Sequence, residues 1–208
     1  MYNKWRKNKT EESPMAKKSN RNTRGRIVSA AWKLFYEQGY EDTTVEEIIE
    51  LSGTSKGSFY HYFDGKDALL STLSSLFDEK YEELTGLLTS EMTAMEQLLF
   101  LNRELFHMIE DSISLDLLAR LYSTQLTTNG EKHLLDHNRI YYKLLRKIIA
   151  KGQSEGQLSS RSNVNEMVKL YALCERALLY DWCLCAGEYA LTEYSAKVLP
   201  GFLSSFLP

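Results

Sequence analysis

A long stretch without proline restricts the fold of this sequence more than any other feature. The 208 residues include only three prolines, Pro14, Pro200 and Pro208, so residues 15–199 contain none. Proline makes up about 5% of an average chain. Inside a helix it costs about 3 kcal/mol or more, because it removes a backbone hydrogen bond and clashes with the preceding turn. The sequence therefore predicts an all-α fold of consecutive helices rather than a sandwich or barrel.

The charges are distributed unevenly along the chain. The formal net charge is −3, but residues 1–26 carry nine Lys and Arg against two Glu, a balance of +7. The remaining residues therefore sum to −10. A basic arm, placed at residues 1–21, on an acidic body indicates that one end of the protein contacts a polyanion. A solubilising tail is the alternative that charge alone leaves open.

The cysteines and the apolar runs bear on the cellular compartment. The chain has three cysteines and no secretory signal after Met1, which is typical of a protein in a reducing cytoplasm. Charged residues interrupt the longest apolar segment before it reaches the roughly 18 residues of a membrane span. We therefore expect a cytoplasmic protein without a membrane span, whether translation starts at Met1 or at Met15.

Apolar spacing and glycines predict short helices in the first third of the chain. A first helix carries apolar residues at three–four spacing from Ile27 to Phe35 and ends before Gly39. A capping box is predicted to open a second helix, with the Thr43 hydroxyl accepting a hydrogen bond from the Glu46 amide. Each of these helices has one apolar face, which indicates a small packed bundle.

A third short helix is predicted after a turn at residues 52–54, as in a helix-turn-helix motif. Either Thr54 or Ser55 opens it. Three aromatic residues are expected on its buried side: Phe59, Tyr62 and Phe63. Its other side carries hydroxyls, a lysine, a phenol and a histidine: Ser55, Lys56, Ser58, Tyr60 and His61. Gly57 costs about 0.5–1 kcal/mol relative to alanine, which favours close approach by another molecule. This face is either plainly solvated or binds DNA.

The segment from Gly39 to Leu70 closely resembles the amino-terminal domain of the TetR family of bacterial transcriptional regulators. The resemblance covers about residues 24–71, and its most specific part, residues 55–66, reads S-K-G-S-F-Y-H-Y-F-D-G-K. It implies a three-helix DNA-binding domain, at residues 22–68, followed by a larger helical domain for effector binding and dimerisation, at residues 69–208. It also implies a homodimer that contacts its partner subunit through the last two helices.

The resemblance further implies which residues contact operator DNA. Carried over by position, Thr44 and Lys66 would hold phosphates, and Lys56 would reach a base edge in the major groove. The full set of implied contacts is Thr44, Ser55, Lys56, Gly57, Ser58, Tyr60, His61 and Lys66. Between residues 27 and 65 the charge balance is −5, so attraction to DNA must come largely from the basic arm, from backbone amides and from Lys66.

The rest of the chain is predicted to be helix after helix. A fourth helix, capped by Asp64, is expected to run without a break to Leu84, and a later one from Lys132 to Lys151. A helix over Asn163–Cys185 is apolar nearly all round and is expected to be buried on every side. Aromatic residues and one carboxylate are the candidates for an effector pocket: Phe106, Tyr122, Tyr141, Tyr171, Glu175 and Trp182.

Other chemistry has little support in the sequence. His133 and His137 stand four residues apart, a spacing that can bind metal on a helix, but nothing completes a ligand set, so we expect no metal and no cofactor. The phosphate-cradling, dinucleotide and HExxH motifs of enzymes are missing.

We interpret the chain as a DNA-binding, ligand-responsive transcriptional regulator without enzymatic activity, and most simply as a homodimeric repressor. Its partners would be double-stranded operator DNA, a second copy of the chain and a small-molecule effector. Activation instead of repression stays open. The alternative is a helical protein-interaction or dimerisation module, which explains the apolar helices but not the residues from Ser55 to Lys66.

Overall fold

The computed structural model describes residues 23–127 and 132–208. The basic arm predicted at residues 1–21 lies outside the described residues. The chain divides into two compact units, the first ending at Thr72 and the second running from Leu73 to Pro208. Within the described ranges every regular element is a helix, which confirms the predicted all-α fold. No helix there is long and apolar enough to cross a membrane.

Between residues 23 and 72 the first unit contains four helices: α1 (Thr23–Glu37), α2 (Val45–Ser52), α3 (Lys56–Tyr62) and α4 (Lys66–Leu70). They pack around a small apolar core in which Ile27, Ile48 and Phe59 have no exposed surface. These residues recur at helical spacing within their own helices, so each helix contributes one apolar face to the same core.

The capping box at the start of α2 lies one residue later than the sequence predicts. Thr44 is the N-cap, its hydroxyl accepts from the Glu47 amide at 3.2 Å, and the Glu47 carboxylate accepts from the Thr44 amide at 2.7 Å. Thr43, with 1% of its surface exposed, donates its hydroxyl to the carbonyl oxygen of Gly39. The prediction of a box formed by Thr43 and Glu46 is wrong, because the Thr43 side chain points into the loop.

The predicted long fourth helix is also wrong, since it is broken between α4 and α5 (Leu73–Thr85). The Thr72 amide and hydroxyl both bond to the carbonyl oxygen of Leu69, at 3.0 and 2.6 Å, which replaces the regular helical pattern by a tighter turn. The N-cap of α4 is Gly65 and has no side-chain cap, so Asp64 does not play the predicted role.

The described part of the second unit, residues 73–127 and 132–208, contains six longer helices and two short 3-10 turns. Its helices are α5, α6 (Ala94–Ser112), α7 (Leu115–Thr127), α8 (Ile140–Ser154), α9 (Val164–Leu184) and α10 (Leu191–Leu203). The 3-10 turns are His133–Leu135 and Ser204–Phe206. The α6 helix packs against both α8 and α10, and its face from Leu98 to Ile109 is central to the core.

The α8 helix begins later than predicted, at Ile140 rather than near Lys132. His133 lies on a 3-10 turn, and His137 lies in the following loop with its ring 4.7 Å from that of Tyr142. The two histidines therefore do not share a helical face. Among the described residues no group of three or more His, Cys, Asp and Glu could hold a metal ion.

The α9 helix is not buried on every side in the single chain, contrary to the prediction. One stripe at three–four spacing is exposed, and Leu173, Tyr180 and Leu184 have 52%, 47% and 66% of their surface exposed. Ala177 is exposed between them. We call these four residues the α9 stripe. An exposed row of large apolar side chains marks a surface that another molecule covers.

Candidate nucleic-acid interface and effector site

The turn between α2 and α3 is built by a glycine and a serine. Gly53 has a φ of 61°, in the left-handed region that glycine adopts most readily, and its amide closes α2 on Glu50. Ser55 is the N-cap of α3, and its hydroxyl accepts from the Ser58 amide at 3.1 Å. The structure thus assigns to Ser55 the start of the third helix that the sequence left open between two residues.

The polar side of α3 faces away from the first unit's core. Phe59 is fully buried, Phe63 is nearly so, and both anchor the helix. Tyr62 has 43% of its surface exposed, so its predicted place in the core is wrong. Ser58 is half-buried, and the other predicted contact residues of α3 and its N-cap are exposed: Ser55, Lys56, Gly57, Tyr60 and His61.

Packing among the described residues does not require Gly57. Within that part of the chain, a Cβ atom placed there would meet only the Ser55 hydroxyl, at 4.0 Å. Glycine in a helix is unfavourable relative to alanine, and within this chain an alanine would fit. The open space above Gly57 supports the prediction that a surface outside the chain approaches at this point.

Lys56 is held only weakly by the rest of the unit. Its ammonium lies 3.4 Å from a Glu46 carboxylate oxygen, and both side chains are about 70% exposed (69% and 70%). Exposed pairs of this kind contribute roughly 0–1 kcal/mol. The ammonium also lies 6.0 Å from the centre of the Tyr60 ring. Lys56 can therefore exchange these contacts for a phosphate or a base edge at little cost.

Lys66, in contrast, is bound by the loop between α1 and α2. Its ammonium donates to the carbonyl oxygens of Tyr40, Thr43 and Glu41 at 2.6, 2.8 and 3.2 Å. It also lies 4.3 Å from the centre of the Tyr40 ring. This loop leads into Thr44, so Lys66 fixes the start of α2. Its predicted phosphate contact stays a prediction.

Thr44 is exposed, but its hydroxyl and amide both interact with the Glu47 carboxylate, at 2.8 and 2.7 Å. Hydrogen bonds from the Thr44 backbone and side chain lower the pKa of Glu47 below its usual value. The carboxylate offsets the positive end of the helix dipole. A phosphate contact by Thr44 would therefore share this site with a charged carboxylate.

Three of the six predicted effector residues meet in the core of the second unit. The Tyr141 hydroxyl donates to the Glu175 carboxylate at 2.6 Å, and the Tyr171 hydroxyl donates to the Leu98 carbonyl oxygen at 2.8 Å while also interacting with Glu175. Burial raises the pKa of Glu175 above its usual value, and the hydrogen bonds it accepts act in the opposite direction.

The other three predicted effector residues are not hydrogen-bonded to the Glu175 carboxylate. Phe106 is a fully buried side chain of α6, and the Trp182 indole donates to the carbonyl oxygen of Tyr189 at 2.9 Å. Tyr122 is half-buried in α7, and burial raises the pKa of its hydroxyl. Within residues 23–127 and 132–208, none of these three side chains forms a hydrogen bond with Glu175.

Sequence reasoning missed two residues bonded in series to Glu175. The Asn102 side-chain amide donates to Glu175 at 2.9 Å, and the Ser195 hydroxyl donates to the Asn102 side-chain oxygen. Tyr81 packs its ring 4.9 Å from that of Tyr141, and its buried hydroxyl has no hydrogen-bond partner in the described part of the chain. A lone asparagine on the apolar face of α6 was the available signal.

The helices described for residues 23–72 and the exposed side of α3 define a helix-turn-helix domain. The sequence model described as bacterial regulatory proteins, tetR family, matches residues 27–73, which contain the whole motif. This match confirms the resemblance found in the sequence: residues 27–73 are similar to the amino-terminal domain of the TetR family of bacterial transcriptional regulators.

Relatives of this chain include curated regulators and solved structures. TtgR of Pseudomonas putida is 33% identical over 75 residues, which cover 36% of this chain and 36% of TtgR. The fatty acid metabolism regulator protein of Bacillus subtilis is 23% identical over 177 residues, 83% of this chain and 90% of that protein. The chain spans 22% to 36% of the length of the first curated regulators it matches.

The fold is shared over nearly the full length with solved structures. Thermus thermophilus FadR, a TetR family transcriptional repressor crystallised with lauroyl-CoA, superposes with a TM-score of 0.72 at 26% identity. That comparison covers 89% of this chain and 95% of the other. It confirms the predicted architecture, an amino-terminal helix-turn-helix domain followed by a helical domain.

Proposed function

We propose that the protein is a homodimeric transcriptional repressor that binds operator DNA through α3 and releases it when a small molecule binds the second unit. The observation that carries this proposal is the exposed polar side of α3, held in place by the buried Phe59 ring. The Thermus thermophilus relative is a transcriptional repressor. A recognition helix of this kind enters the major groove with its first residues towards the bases.

The proposed DNA contacts follow from exposure and chemistry. Lys56 donates to a base edge or phosphate, since it is the one cation on α3 and its Glu46 pair is weak. Ser55, Ser58, Tyr60 and His61 contact phosphates or base edges, and Gly57 lets the DNA backbone approach. Thr44 contacts a phosphate at the start of α2. We propose that Lys66 acts indirectly, by fixing the loop that ends at Thr44.

The proposed dimer forms through the α9 stripe together with α10. Two recognition helices must stand about 34–36 Å apart to enter successive major grooves, which a symmetric dimer supplies. The stripe has the apolar character of a dimer interface, and Tyr194 adds a further exposed aromatic ring on α10. One subunit alone presents a single recognition helix and binds weakly.

The proposed effector response needs only a difference in affinity between two states. A molecule that binds the second unit more tightly in the state unable to bind DNA shifts the population towards that state. A coupling free energy of about 1–3 kcal/mol gives roughly 5–150-fold relief of DNA binding. The lauroyl-CoA and stearoyl-CoA complexes of two relatives support ligand binding in this family.

A gel-shift titration tests the DNA-binding proposal. The chain is titrated onto the duplex found upstream of its own gene and onto a scrambled duplex of equal length. Lys56→Ala and Tyr60→Ala are each expected to weaken specific binding by about tenfold, since a good contact contributes about 1–3 kcal/mol. Lys143→Ala, which removes an exposed lysine from α8, is the matched control and should bind as the unchanged chain does.

Equal affinity for the two duplexes in every variant would contradict the proposal and favour a protein-interaction module. Loss of binding in Lys143→Ala as well would show that general charge, rather than the surface of α3, carries the interaction.

A further inference from the structure

A groove between α6 and α10 contains none of the six residues predicted to form the effector pocket. It encloses about 580 Å³, which is in the range of small-molecule sites. Its walls are mostly apolar: Met92, Leu99, Phe100, Ala196, Leu199 and Pro200. All of them belong to the second unit. We call this feature the α6–α10 groove.

The most buried polar residues that line the groove are Asn102 and Ser195, with 3% and 1% of their surface exposed. They connect the groove to Glu175 through two hydrogen bonds in series. The Asn102 and Ser195 side chains therefore connect the groove to the buried Glu175 carboxylate by hydrogen bonds.

Both hydrogen bonds in this series run towards the buried carboxylate. Asn102 turns its NH₂ group towards Glu175 and its oxygen towards Ser195. The Ser195 hydroxyl has one proton and gives it to that oxygen. Ser195 therefore offers only its lone pairs to a molecule in the groove, and the Asn102 oxygen has a second lone pair. Both oxygens accept hydrogen bonds from a bound molecule.

The charges around the groove also favour a ligand that donates hydrogen bonds and carries a positive charge. Two carboxylates, Glu91 and Glu96, lie among its lining residues. The one cation there, Arg103, is paired with the Glu104 carboxylate at 2.9 Å and stacks on Phe100. A positively charged head group is attracted by this field, whereas an anionic one is repelled.

We propose that the α6–α10 groove binds a small amphipathic molecule with a protonated amine as its head group. The amine donates to Ser195 and Asn102, and its apolar body lies along Leu99, Phe100 and Leu199. This inference rests on the proposed function in one respect: the amine acts as an effector only if the protein is a ligand-responsive regulator. Binding itself needs no DNA, so it can fail while the DNA-binding proposal stands.

The test compares three ligands that share an apolar body and differ in the head group. Binding of 1-naphthylmethylamine, 1-naphthylmethanol and 1-naphthoate to the full chain is measured by calorimetry at neutral pH without DNA. The amine is expected to bind at least tenfold more tightly than the carboxylate, and the alcohol in between. Ser195→Ala should weaken binding of the amine and the alcohol but leave that of the carboxylate unchanged.

A second variant tests binding in the groove without changing the buried hydrogen bonds of Ser195 and Asn102. Leu99→Trp fills the groove from α6 and is expected to weaken binding of the amine at least tenfold. Leu126→Trp makes the same change at a side chain on α7 that is 69% exposed, and should bind as the unchanged chain does. Circular dichroism confirms that each variant is folded.

Three results would overturn the inference. The first is an amine that binds no more tightly than the carboxylate, which includes the case in which neither binds. The second is amine binding that Leu99→Trp leaves unchanged. The third is tighter binding of lauroyl-CoA than of the amine, if Leu99→Trp abolishes the binding of lauroyl-CoA. The groove would then bind acyl-CoA, the class of ligand found in the Thermus thermophilus complex.

Discussion

Lys66→Gln is expected to bind the DNA upstream of its own gene at least tenfold more weakly than the unchanged chain, with the same dependence on salt. The ammonium of Lys66 joins three carbonyl oxygens of the loop between α1 and α2. Glutamine has neither the charge nor the reach to satisfy all three. The loop then loosens, the N-terminus of α2 is no longer fixed at Thr44, and α3 loses its support.

The salt dependence separates this role from a direct phosphate contact. A lysine that neutralises a phosphate releases a counterion on binding, so its loss lowers the slope of log affinity against log salt by about one. A lysine that acts through the loop leaves the slope unchanged. Lys33→Gln, at an exposed position of α1, is the matched control. A slope reduced by one in Lys66→Gln alone would restore the phosphate contact that the sequence predicts.

Leu173→Glu combined with Tyr180→Glu is expected to make the protein monomeric and to reduce operator binding more than a hundredfold. Each substitution places a charge in the middle of the α9 stripe, where association would bury it. An unpaired buried carboxylate costs more than a dimer contact can supply. A single subunit also loses the second recognition helix, so the two effects act in the same direction. Light scattering and gel-shift titration measure them separately.

Leu126→Glu is the control for this experiment, because it places the same charge at an exposed leucine of α7 outside the stripe. It should remain dimeric and bind DNA normally. A double variant that stays dimeric would move the subunit interface away from α9. A monomer that binds its operator with full affinity would contradict the proposed need for two recognition helices.

Local sequence patterns predicted the first unit well. The three–four spacing from Ile27 to Phe35, the turn at Gly53 and the anchor Phe59 all depend on near neighbours in the chain, and the structure confirms them. The capping box was misplaced by one residue because two overlapping segments, Thr43 to Glu46 and Thr44 to Glu47, have the same spacing. The buried position of Thr43 decides between them, and burial is a tertiary property.

Residues whose roles depend on distant partners could not be predicted in the same way. Lys66 meets the carbonyl oxygen of Tyr40 from 26 positions away, and Asn102 meets Glu175 from 73 positions away. Nothing in the local sequence signals either contact. Glu175 itself was a candidate because a carboxylate in an apolar helix must be paired, but its partners appear only once the helices are packed.

Hydrogen–deuterium exchange of the full chain, with and without the duplex found upstream of its own gene, shows whether α3 is the surface that binds DNA. We expect the duplex to slow exchange at the backbone amides of α3 and at the N-terminus of α2, while the amides of α7 exchange at an unchanged rate. Slowed exchange confined to the second unit, with α3 exchanging as freely as in the protein alone, would contradict this expectation.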